Sequence, residues 1–324
     1  MYVTLSNKPL KTGEMMEIGV VIPPDERFAD RIISFLKHKG QPWEGHIREA
    51  FAGRIPELET RFYVGCLDAN VIANIMTVEY GQTGILGHVF TAPQHRRKGA
   101  CKLVMAQQMA DFKKRGGGQL LLATDYDSPA YWIYHSYGFR SVFPQAGFMR
   151  YATEDDFEAR YFAPAPTRAV DVTWKDWPRW NVLGACSGGD YLRSIALDWW
   201  GMRNLEGGFL ETRLRIQEAR IQVKLLESQK GSIVGFASLQ PDFRWNGHTH
   251  LLDLFVHPSF SNRLAQLLDA LSFPKSKTQC YAESTSQAKV QALLAARFRQ
   301  EALFKGQVRK GSAALDVLVF ARAG

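Results

Sequence analysis

Cysteine is scarce in this 324-residue chain: there are four, Cys66, Cys101, Cys186 and Cys280. None is spaced as C-x-x-C, which argues against a disulfide framework or a structural zinc site and leaves free thiols. Long apolar runs are also missing. No stretch of about 18 consecutive apolar residues occurs, so no membrane-spanning helix is expected. The first residues, MYVTLSNKPLKTGEMMEIG, lack the apolar core of a secretory signal. Nor is there a compact Lys/Arg run, although Lys+Arg (40) exceed Asp+Glu (32). The first half is close to neutral and the second carries most of the net charge of +8, a pattern suited to solubility or anionic ligands rather than to nucleic acid. These absences predict a cytoplasmic protein with no metal, no nucleic-acid partner and no membrane contact.

What is present is an ordinary globular composition, 46% hydrophobic and 12% aromatic. The length suggests two domains. Residues 153–167, TEDDFEARYFAPAPT, begin acidic and end in alternating proline, and are expected to link domains at 1–152 and 168–324. In the first half, periodicity predicts a strand at Glu17–Ile22 and helices near Phe28–Leu36 and Glu44–Ala52. Strands at Arg61–Leu67, Val71–Tyr80 and Ile85–Thr91 should form an antiparallel meander. A helix from about Ala100 to Arg115 should stop at Gly116-Gly117-Gly118. A buried strand at Leu120–Ala123, a helix at Pro129–Ser136 and strands at Phe139–Phe143 and Gly147–Tyr151 complete the half.

In the second half, a strand at Arg168–Thr173 leads into helical pieces reaching Trp199. Strands at Gln222–Glu227, Ile233–Gln240 and Leu251–Val256 follow. A helix near Asn262–Ser272, a strand at Gln279–Glu283, a helix at Gln287–Ala296 and a strand at Ala314–Ala321 end the chain. The order of elements repeats that of the first half.

The most informative stretch is Val89-Phe90-Thr91-Ala92-Pro93-Gln94-His95-Arg96-Arg97-Lys98-Gly99-Ala100-Cys101-Lys102. A strand ends at Pro93, a basic loop follows and a helix opens near Gly99. Free N–H groups and the positive end of the helix dipole make such a place receptive to anions, and glycine permits close approach to the backbone. Further on comes Asp127-Ser128-Pro129-Ala130-Tyr131-Trp132-Ile133-Tyr134-His135-Ser136-Tyr137-Gly138-Phe139.

Together these segments resemble the two signatures of the GNAT N-acetyltransferase superfamily, L-x-V-x-P-x-x-[RQ]-x-x-G-x-[GA] and N-x-x-A-x-x-[LF]-Y-x-x-x-G-F. Thr91 and Cys101 depart from the first pattern, and Asp127 and Ile133 from the second. The resemblance covers residues 17–151. It implies an α/β fold of mixed, mostly antiparallel sheet flanked by helices, with acetyl-CoA as acyl donor and a primary amine as acceptor. It implies that Val89, Phe90 and Thr91 pair with the pantetheine arm. Arg96, Arg97, Lys98, Gly99, Ala100, Cys101 and Lys102 would hold the pyrophosphate, with Asp127 a further ligand or a helix cap. Tyr134 falls at the position of the general acid. For the base, His88, Glu79 and Asp125 are alternatives. His95 and His135 are expected at the surface. Trp43, Glu44, His46 and Glu49 are candidates for the acceptor side.

Leu254-Phe255-Val256-His257-Pro258 repeats the start of the first signature. Ser261 and Leu264 then stand where Arg and Gly belong, and Leu293 stands near the tyrosine position. The second half therefore resembles a degenerate GNAT domain, giving a tandem chain able to work as a monomer through an internal pseudo-dimer. Its tryptophans, Trp174, Trp177, Trp180, Trp199 and Trp200, are expected in a core or a domain interface. A non-catalytic acyl-CoA-binding or interaction protein on the same scaffold remains the alternative function.

Overall fold

The computed structural model describes all 324 residues. They divide into two compact units, Met1–Phe157 with Trp174–Arg179, and Glu158–Thr173 with Trp180–Gly324. No helix is long and apolar enough to cross a membrane.

The first unit runs β1 (Tyr2–Pro9), β2 (Met15–Val21), α1 (Glu26–Leu36), α2 (Trp43–Phe51), β3 (Glu59–Leu67), β4 (Asn70–Tyr80) and β5 (Thr83–Thr91). It continues with α3 (Ala100–Lys114), β6 (Gln119–Ala123), α4 (Pro129–Ser136), β7 (Arg140–Ser141) and β8 (Phe148–Ala152). Its sheet has the order β1-β2-β3-β4-β5-β6-β8-β7. Every neighbouring pair is antiparallel except β5 and β6. The first strand escaped the sequence reading, because YVTLSNKP has only a weak alternation and its side chains are mostly exposed on a sheet edge.

Local chemistry sets the helix ends. The Asp25 carboxylate caps α1 by accepting from Arg27 N (3.1 Å), and Phe28, Ile32 and Leu36 form its buried stripe. Ser128 caps α4 by accepting from Tyr131 N (3.1 Å), with Pro129 in the first turn. α3 buries Val104, Met105, Met109 and Phe112 against the sheet, where they join Ile18, Tyr63, Ile75, Leu120 and Phe139. Its far end is tied down by charge. Arg115 donates to Glu79 (2.7 Å) and Asp111 (2.8 Å), and Tyr63 Oη donates to Asp111 (2.6 Å).

Beyond it lie α5 (Phe157–Tyr161), within the stretch read as a linker, then β9 (Thr167–Asp171), α6 (Asp176–Gly184), β10 (Leu192–Ser194), β11 (Trp199–Trp200) and α7 (Glu206–Gln217). β12 (Gln222–Ser228), β13 (Ile233–Pro241), β14 (Thr249–Val256), α8 (Leu264–Asp269), β15 (Lys277–Glu283), α9 (Gln287–Ala295), β16 (Arg299–Lys310) and β17 (Ala313–Arg322) follow. The second sheet has the order β16-β17-β15-β14-β13-β12-β9, and again a single parallel pair, β14 with β15. From β9 to β17 it repeats the connectivity of β2 to β8, with α8 and α9 at the places of α3 and α4. The chain is thus two tandem domains of one α/β architecture. Trp180, Trp199, Phe209, Phe236 and Phe255 form an aromatic core in this unit.

Two departures from the sequence expectation belong here. The helical pieces expected up to Trp199 stop at Gly184, and Leu192–Trp200 is a hairpin held by buried carboxylates. α7 and β16 were also not expected: α7 has no clear apolar stripe, and β16 is an edge strand with nearly every side chain exposed.

Candidate functional site

The site begins where β5 loses its neighbour. β5 and β6 pair only from Thr83↔Gln119 to Ile85↔Leu121, yet β5 runs on to Thr91. On its other side the register with β4 slips. Met76 faces Gly87 and Asn74 faces Phe90, so His88 and Val89 together oppose Ile75. This is a β-bulge, which bends a strand away from its neighbour. His88 takes a left-handed backbone, φ +49, and its carbonyl accepts from the buried Asn74 side-chain amide at 3.0 Å. Past Ile85, therefore, the edge of β5 faces no strand.

Into that opening projects the start of α3. Arg97 and Gly99 are both left-handed, φ +64 and +94. The N–H groups of Arg97, Lys98, Gly99, Ala100, Cys101 and Lys102 meet no acceptor within the chain, while Leu103 N already bonds Gly99 O (3.1 Å). Six successive donors and a helix N-terminus make a cradle for an anion. A cavity of about 450 Å³ lies against it. Val89, Phe90, Thr91, Arg96, Arg97, Gly99, Ala100, Cys101 and Lys102 line it, so nine of the residues singled out in sequence meet there. Lys11, His95 and Ile133 line it too. Lys11 lay in a turn with no motif, and its N–H bonds Lys98 O at 3.0 Å. Arg96 is held by its own strand, donating to Thr91 O (3.2 Å).

Two residues sit elsewhere. Lys98 leaves the cavity and pairs with Glu14 (3.5 Å). Asp127, φ +60, accepts from Trp132 Nε1 (2.8 Å) and does not line the cavity. The cap of α4 is Ser128 rather than Asp127.

Tyr134 is buried in the core cluster with Tyr131 and Phe139. Its neighbour Ile133 is the residue of α4 that reaches the cavity wall. Tyr137, at the end of α4, donates to Lys102 O (2.7 Å) and fixes that helix against the first turn of α3. Of the three base candidates, Glu79 is engaged by Arg115 and Thr77. It also lies five residues along β4 from Asn74, roughly 16 Å at the rise of a strand. Asp125 is exposed in a turn. His88 is buried, edge-on to Trp43 at 5.0 Å, and its Nε2 has no hydrogen-bond partner. Burial, with smaller contributions from His46, Lys39 and His38, pushes its pKa down to about 3. His46 behaves alike: it packs edge-on to Trp177 (4.8 Å), and burial alone pushes it down to about 3. Both imidazoles are neutral over the physiological range. Glu44 and Glu49 instead pair with Arg48 (2.6 Å) and Arg54 (2.7 Å) on the helix surface.

The corresponding place in the second unit is built differently. β14 and β15 also part, after Leu252↔Cys280, but β13 and β14 pair without a bulge. The opening is filled by the chain itself. Asp253 accepts from Ser194 Oγ (2.5 Å), Ile195 N (2.9 Å) and Ala196 N (2.8 Å), and Glu283 accepts from Leu192 N (2.5 Å). Both carboxylates are buried, which raises their pKa. Leu264, φ −55 and buried, opens α8 where Gly99 opens α3. The hairpin thus stands in the opening, and no glycine turn precedes α8. The decay of the loop was legible in sequence; the hairpin that fills the opening was not.

Residues 63–146 match the family model described as FR47-like protein. That span runs from β3 through the bulge, the anion loop and α4 to just past β7, and includes the elements that build most of the cavity. The matched residues all lie within the first unit. No curated protein matches the chain in sequence. Solved structures similar to this chain include a ribosomal-protein-alanine N-acetyltransferase from Brucella melitensis (19% identity, 48% of this chain and 99% of that one, TM-score 0.39). Another is a Salmonella typhimurium protein solved with its cofactor acetyl-CoA (18%, 49% and 94%, TM-score 0.37). A third is Mycobacterium smegmatis RimJ in complex with CoA-disulfide (14%, 49% and 82%, TM-score 0.38).

Proposed function

We propose that the chain is an acetyl-CoA-dependent N-acetyltransferase whose chemistry resides in the first unit, with a primary amine as acceptor. The observation that carries this is the coincidence of three features at one place: a strand edge freed by a bulge, six unbonded N–H groups at Arg97–Lys102, and a cavity joining them. A diphosphate needs donors without side-chain bulk, and the Gly99 turn supplies them. A pantetheine arm carries amides, and the free edge of β5 at Val89–Thr91 can bond them as a strand would. The residues present therefore fit acetyl-CoA, which when bound supplies an activated acyl carbon and a thiolate leaving group. We place the catalytic domain at 1–152, the linker at 153–167 and the degenerate domain at 168–324.

An ammonium has no lone pair, so the acceptor must lose a proton before attack. In our reading the acceptor's proton passes to water beside the neutral His88 imidazole and on to solvent, and the Tyr134 hydroxyl gives one to the departing sulfur. Burial keeps that imidazole neutral at pH 7, so it can accept a hydrogen bond from the water but does not retain the proton. A second reading has support from one observation: Tyr134 belongs to the core cluster and does not line the cavity. On that reading the unit binds acyl-CoA without transferring the acyl group. Thiol release measured across a panel of amines separates the two, since only a transferase releases thiol in proportion to amine acylated.

A further inference from the structure

The excess positive charge of the second unit converges in part on one groove of about 670 Å³, lined by Lys277, Arg297, Arg299, Glu301 and Arg322. Strand register brings them together. Arg299 of β16 faces Ala321 of β17, and Arg322 faces Thr278 of β15, next to Lys277. Glu301, the one carboxylate side chain in the lining, is taken up by Lys277 at 2.6 Å. Arg297, Arg299 and Arg322 have no carboxylate within ion-pair distance.

Two of the three arginines are held in place. Arg322 lies over the Phe273 ring at 4.3 Å and reaches Ala296 O at 3.5 Å. Arg297 is left-handed, φ +66. Its N–H bonds Leu294 O and that of Phe298 bonds Leu293 O, both at 3.0 Å, in the turn that closes α9. The same turn closes α4, where the left-handed residue is Gly138, φ +95. A side chain in this conformation is disfavoured relative to glycine, yet here it presents a guanidinium to the groove.

We propose that this groove binds a small ligand carrying a diphosphate or two neighbouring phosphates. Guanidinium groups match phosphate oxygens through paired N–H donors. Lys277 answers Glu301, and the α-carboxylate of Gly324 also lines the groove, which leaves the three guanidinium groups in excess by two positive charges for an anion to meet. The volume is that of a small-molecule site. The setting is open to water, so a single phosphate would be held weakly and a multiply charged ligand is required.

Calorimetric titration of the full chain with inorganic pyrophosphate at low salt tests this. Because the Arg96–Lys102 cradle can also take pyrophosphate, three variants are compared: Arg297→Gly, Arg299→Gln, and Arg96→Ala with Arg97→Ala. Arg297→Gly relieves the left-handed strain, so it should melt at the same or a higher temperature while binding pyrophosphate at this groove about tenfold more weakly. Arg299→Gln should weaken the same event, and the Arg96/Arg97 variant should retain it. Absence of binding, unchanged binding in both second-unit variants, or binding lost only in the Arg96/Arg97 variant would each overturn the proposal.

Discussion

The Asn74 side-chain amide donates to the main-chain carbonyl of His88 at 3.0 Å, and both residues are buried. This bond holds the bulge that turns β5 away from β6, and the bulge frees the edge on which the proposed donor site depends. Replacing Asn74 with alanine leaves a buried carbonyl without its partner, at a cost of about 1–3 kcal/mol. Denaturant unfolding should show that loss, and CoA affinity should fall in the same variant. Unchanged affinity at reduced stability would separate the bulge from ligand binding.

Gly99 tests the cradle more locally. A Cβ built there meets nothing nearer than Lys11 Cγ at 3.7 Å, so space is not the constraint. The constraint is φ +94, which costs an L residue about 1–2 kcal/mol. Gly99→Ala should therefore be modestly destabilised. It should also bind CoA more weakly, because relief of the strain moves the N–H groups of Ala100 and Cys101. Calorimetry on this variant showing wild-type affinity would remove the cradle from the account.

The buried histidines give the protein an acid sensitivity. In the unfolded chain His46 and His88 titrate near 6.5; in the fold both are pushed down to about 3. A depressed folded pKa means that the unfolded state binds the protons first. Their contribution is complete above pH 6.5 and declines as the pH falls from 6.5 towards 3, by up to about 1.4 kcal/mol per pH unit for each histidine. Chemical unfolding at pH 7.5 and pH 5 should show this decline, and His46→Gln should make it shallower. An equal slope in the variant would mean that His46 is not the source.

The second unit should not contribute a CoA site. Its opening is occupied by Leu192–Ala196, bonded to Asp253 and Glu283, and Leu264 replaces the glycine of the cradle. Titration of the full chain with CoA should give one site per chain. Asp253→Ala leaves one buried donor, Ser194 Oγ, and two half-buried ones, Ile195 N and Ala196 N, without their partner and should destabilise the second unit by at least about 1–3 kcal/mol, without creating a second site. Two equivalent CoA sites in the wild type would contradict this.

Much of the first unit could be read from residue spacing. The helices at Trp43–Phe51, Ala100–Lys114 and Pro129–Ser136 carry clear stop and start signals, and Gly99 and Pro93 bracket the anion loop. Other features needed the third dimension. Lys11 reaches the cavity only because the β1–β2 turn docks on Lys98, and β1 itself has too weak a pattern to be seen. His88 looked like any strand residue until the bulge gave it a left-handed backbone and a buried ring. The hairpin at Leu192–Trp200 was read as helical because its hydrogen bonds go to carboxylates about 60 and 90 positions away in the chain, which no local period can report.

The most direct test of the central claim is amine-dependent thiol release from acetyl-CoA, measured on the wild type and on Tyr134→Phe. The account predicts release in step with acylation of a competent amine. In the variant it predicts a rate lower by about 10²–10⁴ with CoA affinity unchanged, the scale of a positioned general acid. Full turnover in Tyr134→Phe would reduce that residue to packing. Acetyl-CoA binding with no thiol release from any amine would contradict the transferase assignment itself.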